Sequence, residues 1–171
     1  MRKAIIVRQR VARDLTDCAR ALAQVHERDG YPVNWPENPG AWLAQSSALL
    51  TAWVAELDGR IVGHVGLARS GVDDAAPGLW SGRADVGVER TAVVSRLFVA
   101  PGARGQGVGA LLLERAVKEA HERGLHPVLD VLASATTAAT LYERLGWELL
   151  DTVEREWLPG QIVALRCYAA P

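Results

Sequence analysis

Apolar and polar positions along this chain change period several times, and each change marks an element. Residues 3 to 8, KAIIVR, are a short apolar run between charges and read as a strand. RDLTDCARALAQVHERDG reads as a helix with Asp14 near its start and Gly30 just past its end. The following stretch, YPVNWPENPGAWLAQ, holds three prolines. Its first half excludes regular structure, while Asn38 and Pro39 suit the cap and first position of a short second helix. LTAWVAEL and RIVGHVGLAR are two strands joined by Asp58-Gly59, which supplies the positive φ angles of a tight hairpin, so they should pair antiparallel. Residues 71 to 90 show no clean period and read as a long loop, functional or disordered.

TAVVSRLFVA is a further strand, followed at once by glycines and then by a helix with Leu112, Leu113, Ala116, Val117 and Ala120 on one face. Glu114/Lys118 and Glu119/Arg123 pair on its outer side, and Gly124 stops it. PVLDVLAS suits a strand buried on both faces, TTAATLYERLG a compact helix ending at Gly146. WELLDTVEREWL and QIVALRCYA are two last strands separated by the turn pair Pro159-Gly160. The predicted order is β α α β β β α β α β β, without internal repeats.

Composition narrows the class. A chain of 171 residues, 49% hydrophobic and 23% charged, reads as one globular domain over residues 1–171. Its 19 basic and 20 acidic residues are interspersed, so neither nucleic acid nor a membrane is an expected partner. The apolar run near Met1 is too brief for a signal-peptide core or a membrane span, and a cytoplasmic location is expected. Cys18 and Cys167 stand far apart in no paired spacing, which argues for buried apolar side chains rather than a disulfide or zinc site. No metal is expected.

The densest chemical signal is GARGQGVGALLLERA, residues 102 to 116, with four glycines in eight positions ahead of a helix. Bare backbone at a helix start offers unpaired N–H donors to an anion at the positive end of the helix dipole. The phosphate loop of nucleoside triphosphatases would need Lys and Ser or Thr where Val108 and Gly109 stand. The dinucleotide fingerprint would need Gly or Ala where Leu112 stands. Both fail.

Arg104-Gly105-Gln106-Gly107-Val108-Gly109 does match R-x-x-G-x-G. With the preceding strand VVSRLFVAP and the later LDVLASATTAATLYERLGW, it resembles the GNAT superfamily of acyl-CoA-dependent N-acetyltransferases across roughly residues 91 to 150. The resemblance implies an α/β fold with a central mixed, mostly antiparallel sheet of about seven strands flanked by helices. It implies acetyl-CoA as co-substrate, its pyrophosphate wrapped by Arg104, Gly105, Gln106, Gly107, Val108, Gly109 and Ala110, and its pantetheine arm and acetyl carbonyl on Leu97, Phe98 and Val99. It also implies a primary amine acceptor, with a small molecule as the leading class and a protein or peptide N-terminus as its rival. A non-catalytic acyl-CoA-binding domain is the reading from another class. Homodimers are an expectation by analogy.

Transfer to an alkyl amine of pKa about 10.4 leaves about one molecule in two thousand nucleophilic near pH 7, a handicap of roughly 4 to 5 kcal/mol. At the other end, a thiolate leaves more easily when a proton or hydrogen bond meets it. Tyr142 stands where many members of the superfamily have the tyrosine that serves the leaving sulfur. Full proton transfer from a phenol of pKa about 10 to a thiolate of about 8.5 runs uphill by roughly 2 kcal/mol, so hydrogen bonding is as apt a role. Asp130 lies within an apolar strand, where a carboxylate needs a cavity or a partner. It is read either as the general base that some GNAT enzymes carry at this position or as the ion-pair partner of Arg96, with Glu89 and His64 as substitute bases. Ala135 replaces an asparagine that touches the cofactor in many relatives; the hydroxyls of Ser134 and Thr136 are candidates for that contact.

Six tryptophans stand against one phenylalanine. Trp35, Trp42 and Trp80, with Asp73, Asp74, Asp85 or Glu89, would suit the wall of a pocket for a cationic amine, or the core beneath long loops. His121 and His126 read as solvated, and His26 as a cation at a helix end.

Overall fold

The computed structural model describes residues 4–44 and 48–171. Lys3 of the first expected strand and Gln45, at the end of the second expected helix, lie outside the described residues. Contacts divide the chain into two compact units, residues 1–68 with 96–116, and residues 69–95 with 117–171.

The first unit carries β1 (Ile5–Gln9), α1 (Leu15–Asp29), α2 (Pro39–Ala44), β2 (Leu49–Leu57) and β3, which runs from Arg60 to Arg69. It also takes the second half of β4 (Thr91–Val99) and the start of α4 (Val108–Glu122). β1 and β2 pair antiparallel from Ile5↔Leu57 to Gln9↔Trp53, and β2 and β3 form the expected hairpin. Asp58 and Gly59 both hold positive φ in its turn. Helix α1 ends on Gly30 in the left-handed region, its N–H bonded to the His26 carbonyl. In α2, Asn38 accepts the Ala41 N–H through Oδ1, the cap that the sequence suggests. Cys18, Leu22 and Val25 of α1 and Leu43 of α2 pack with Val54 and Phe98 into one core, where burial of a side chain such as Leu22 stabilises by about 2 kcal/mol.

The second unit carries α3 (Ala76–Ala84), the first half of β4, the end of α4, β5 (His126–Leu132), α5 (Thr136–Arg144), β6 (Glu148–Leu158) and β7 (Gln161–Ala169). β4 and β5 run parallel with register Thr91↔His126 to Val93↔Val128, whereas β5–β7 and β6–β7 are antiparallel. The strand order is β1-β2-β3-β4-β5-β7-β6, a mixed seven-stranded sheet.

The element order matches the sequence pattern with one correction. Residues 71 to 90 are not a continuous loop: Ala76–Ala84 is helical, and Val88–Arg90 is a 3-10 turn. Pro77 suits the first turn, but no local side chain caps this helix. Its first N–H groups are met by Asp130, more than fifty residues away, which no local window could show.

Candidate active site

The glycine segment opens α4. Gly105 and Gly107 hold φ of 79° and 84°, and a Cβ placed on either would meet no atom within 4 Å. Leu111 makes the first bond of this helix start, its N–H to the Gly107 carbonyl at 3.1 Å. The N–H groups of residues 105 to 110 therefore precede the hydrogen-bonded ladder and find no acceptor among the described residues. Residues 104 to 107 are exposed and Val108 is buried, so the segment is an open rim on a packed base. Arg104 is held by the Val99 carbonyl and the Asp29 carboxylate. A diphosphate fits this arrangement, because main-chain donors surround an open space that side chains do not fill.

The base is set by Gly63 on β3. A Cβ there would lie 2.8 Å from Leu112 Cδ1, 3.1 Å from Val108 Cγ1 and 3.2 Å from the Phe98 carbonyl oxygen. The first turn of α4 thus rests directly on bare backbone. Phe98 is buried, whereas Leu97 and Val99 beside it are half-buried. Just before them Arg96 takes φ of 51°, a left-handed residue inside a strand, which re-aims the chain locally.

His64 is fully buried and stacked on Phe98 at 5.3 Å. Its Nδ1 lies 2.9 Å from the Arg96 carbonyl and its Nε2 2.9 Å from Arg10 Nη1. Because a guanidinium only donates, Nε2 carries the lone pair and Nδ1 the proton. Burial pushes the His64 pKa down to about 4, so the ring is neutral at pH 7 and both its nitrogens are occupied. That geometry removes His64 as a substitute base. Glu89, the other substitute, is exposed and folds back over Gly87.

In the second unit, Asp130 of β5 accepts the N–H groups of Ala75 and Ala76 at 2.8 and 2.9 Å, one on each carboxylate oxygen. The charge at the start of α3 is thereby placed where the helix dipole favours it. Its cross-strand neighbour Cys167 is buried, and burial with the Asp130 charge pushes its thiol up to about 12. Cys18 is likewise buried and unreactive.

Tyr142 is 6% exposed on α5, its ring 5.7 Å from Tyr168 and 5.9 Å from Trp147. LYERLGW is physically a helix end. The N–H groups of Leu145, Gly146 and Trp147 fold back onto the carbonyls of Leu141, Glu143 and Tyr142. Tyr168 donates its hydroxyl to Glu143 at 2.9 Å. Ala135 precedes α5 and supplies no side-chain cap.

The three tryptophans expected near a pocket each meet a nitrogen-bearing side chain. Trp35 lies 4.8 Å from the His26 ring, Trp42 sits 4.5 Å beneath the Arg96 guanidinium, and Trp80 stacks on His126 at 3.9 Å. His126 is half-buried and bonded to the Ala170 carbonyl, not solvated, and with Trp80 it lines a groove of about 440 Å³ at the N-terminal ends of β4 and β5. His26 spends its Nδ1 on the Pro32 carbonyl. Of the acids, Asp74 accepts the Gly71 N–H and Asp85 is the left-handed cap of α3. Arg10, Gly63 and Tyr31 went unnoticed in the sequence. Only Gly63 left a signal, as a glycine inside a strand.

The chain belongs to the acetyltransferase (GNAT) family, which it matches over residues 11–147. It is an acetyl-CoA-dependent N-acetyltransferase. Escherichia coli strain K12 holds a relative, the uncharacterised N-acetyltransferase YjgM, 26% identical over 153 residues that cover 85% of this chain and 83% of YjgM. The fold is similar to that of the ribosomal-protein-S18-alanine N-acetyltransferase of Escherichia coli, with a TM-score of 0.70 at 20% identity over 98% of this chain and 94% of that one. YncA of Salmonella typhimurium, solved with its cofactor acetyl-CoA, gives a TM-score of 0.66 at 20% identity over 97% and 92%. Among the described residues no helix is long and apolar enough to cross a membrane, and no group of three His, Cys, Asp or Glu is arranged to hold a metal ion.

Proposed function

We propose that this enzyme transfers the acetyl group of acetyl-CoA to the primary amine of a small molecule by direct attack in a ternary complex. The observation that carries the reading is the run of unengaged N–H groups from Gly105 to Ala110 around two open, positive-φ glycines. These groups would hold the pyrophosphate, and the strand segment Leu97–Val99 the acyl arm, with main-chain N–H groups around Phe98 and Val99 meeting the oxyanion. The amine nitrogen bonds to the acetyl carbon, the carbon–sulfur bond breaks, and the nitrogen sheds its proton. Tyr142 serves the departing sulfur by hydrogen bond or proton. Asp130 is assigned an anchoring role, because both its oxygens already hold the start of α3. Proton removal then falls to water or to the acceptor pocket itself.

Calorimetry with acetyl-CoA, together with thiol release over a panel of amines and peptides, tests this reading. Micromolar uptake with turnover of small amines is expected, and Gly107→Val should weaken uptake at least tenfold, because a β-branched residue at φ 84° is strained. Turnover confined to polypeptide N-termini would move the acceptor to the protein class. Light scattering reads whether the enzyme pairs with a second copy.

A further inference from the structure

We propose that the Ser95 hydroxyl contacts the acceptor amine, accepting a hydrogen bond from its N–H and so aiming the nitrogen lone pair at the acetyl carbon. This rests on the acetyltransferase reading above and supplies a residue for the acceptor end of the same site. Ser95 lies in β4, and its Oγ is buried with no hydrogen-bond partner among the described residues. A hydroxyl shut away from water and left unpaired is costly, and folded proteins satisfy nearly all such groups. Alanine would occupy the same place in the strand without that cost, so the hydroxyl calls for a partner that arrives from outside the chain.

The parallel ladder between β4 and β5 ends at Val93↔Val128, and both strands run on past it. Val93 and Val128 pack in one cluster with Ala75 and Ala76, so they face the start of α3. Side chains alternate along a strand, which puts Ser95 and Asp130 on that same face, each two residues beyond the last shared pair. Asp130 is held there, one carboxylate oxygen on the Ala75 N–H and the other on the Ala76 N–H. Ser95 stays unbonded where the two strands cease to pair. Its oxygen is thus an unused acceptor, and the carboxylate on the neighbouring strand gives this face a negative charge that favours a cationic or N–H-bearing group.

Position along the chain selects the acceptor over the cofactor. The segment proposed for the pyrophosphate begins at Arg104, the proposed acyl arm lies on 97–99, and Ser95 stands further in the same direction, past the acyl end. Arg96, at φ 51°, breaks the strand's alternation between the two, so Ser95 and the acyl segment are set apart although they are near neighbours in sequence. An attacking amine brings N–H donors to this place, and an oxygen acceptor is what they require.

The test is Ser95→Ala, with Ser95→Cys as the variant that keeps the shape but makes only weak hydrogen bonds, and Ser95→Thr as the one that keeps the hydroxyl. With the best amine of the panel, kcat/KM should fall about ten- to thirtyfold in Ser95→Ala and Ser95→Cys, and by less than about fivefold in Ser95→Thr. Calorimetry of that amine on the enzyme saturated with CoA should show its Kd raised about tenfold in Ser95→Ala, while the acetyl-CoA Kd stays within about threefold of native. Loss of an unpaired buried hydroxyl relieves the fold, so the melting temperature of Ser95→Ala should hold or rise by about 2 to 4 °C, where a hydroxyl with a structural role would give the opposite sign. A melting temperature lowered by more than about 2 °C overturns the proposal. So does a kcat/KM within about threefold of native in both Ser95→Ala and Ser95→Cys. An unmoved amine Kd on the CoA complex, with lowered kcat, would assign the hydroxyl to the acetyl carbonyl, and an acetyl-CoA Kd raised in step with the loss of kcat/KM would assign it to the cofactor; both overturn the proposal. In each of these cases uptake of acetyl-CoA and turnover of amines by the native enzyme leave the acetyltransferase reading standing, whereas a native enzyme that does neither removes both.

Discussion

Replacing Gly63 by alanine adds one methyl group, yet it should reach the proposed cofactor site. That methyl would sit 2.8 Å from Leu112 Cδ1 and 3.1 Å from Val108 Cγ1, where ordinary carbon contacts are about 3.5 to 4.0 Å. It would also press the Phe98 carbonyl at 3.2 Å, which is main chain and cannot rotate away. Leu112 and Val108 are both buried, and a helical valine has one strongly preferred rotamer. The cheapest relief is for the start of α4 to lift by roughly 0.5 to 1 Å, at an overpacking cost of about 1–3 kcal/mol. Val108 is itself part of the segment proposed to hold the pyrophosphate, so the same lift would misalign the N–H donors that this reading aims at a phosphate. Urea unfolding should show the stability loss, and calorimetry a rise in acetyl-CoA Kd of about five- to tenfold. Gly102→Ala is the control, since a Cβ there meets no atom within 4 Å. If Gly63→Ala matched the native enzyme in both measurements, the seat beneath the helix would not govern the cradle.

Tyr142→Phe keeps the ring packed on Trp147 and Tyr168 and removes only the hydroxyl, so kcat should fall by about ten- to a hundredfold while acetyl-CoA Kd stays within threefold; unchanged turnover would end the leaving-group role. Asp130→Asn leaves an amide that cannot accept both N–H groups, and it should lower unfolding stability by about 1–3 kcal/mol. A fall in kcat of a hundredfold or more with full stability would instead make Asp130 the base. His64, with its folded pKa near 4 against an ordinary 6.5, is held neutral; its contribution is complete above pH 6.5 and fades as pH falls towards 4, by about 3 kcal/mol. Asp14, held down to about 2 by its hydrogen bonds from Arg8, adds a further loss of about 2 kcal/mol between pH 4 and 2. Stability measured across pH 7 to 3 should show the first decline in the native enzyme and lose it in His64→Gln.

Among the described residues every strand and four of the five helices were legible in the chain, because each is marked by its own residues: Asp58-Gly59 for the hairpin, Asn38 for α2, Gly30 and Gly124 for helix ends. The glycine-led start of α4 was equally legible, since a helix start preceded by glycines is a local pattern with a local physical reason. Helix α3 was not, because its N-terminal donors are met by a carboxylate from β5. The role of Asp130 was for the same reason open: a carboxylate in an apolar strand announces that it needs a partner but not which one.

What the order of residues decides alone is periodicity, turn chemistry and the bare backbone of residues 105 to 109, properties set within a few residues of each other. Folding decides what depends on groups distant in the chain: that His64 is occupied from both sides by Arg10 and the Arg96 carbonyl, and that Gly63 is the floor beneath α4. Those are matters of desolvation and of which atoms meet, and such quantities exist only once strands far apart in sequence lie side by side.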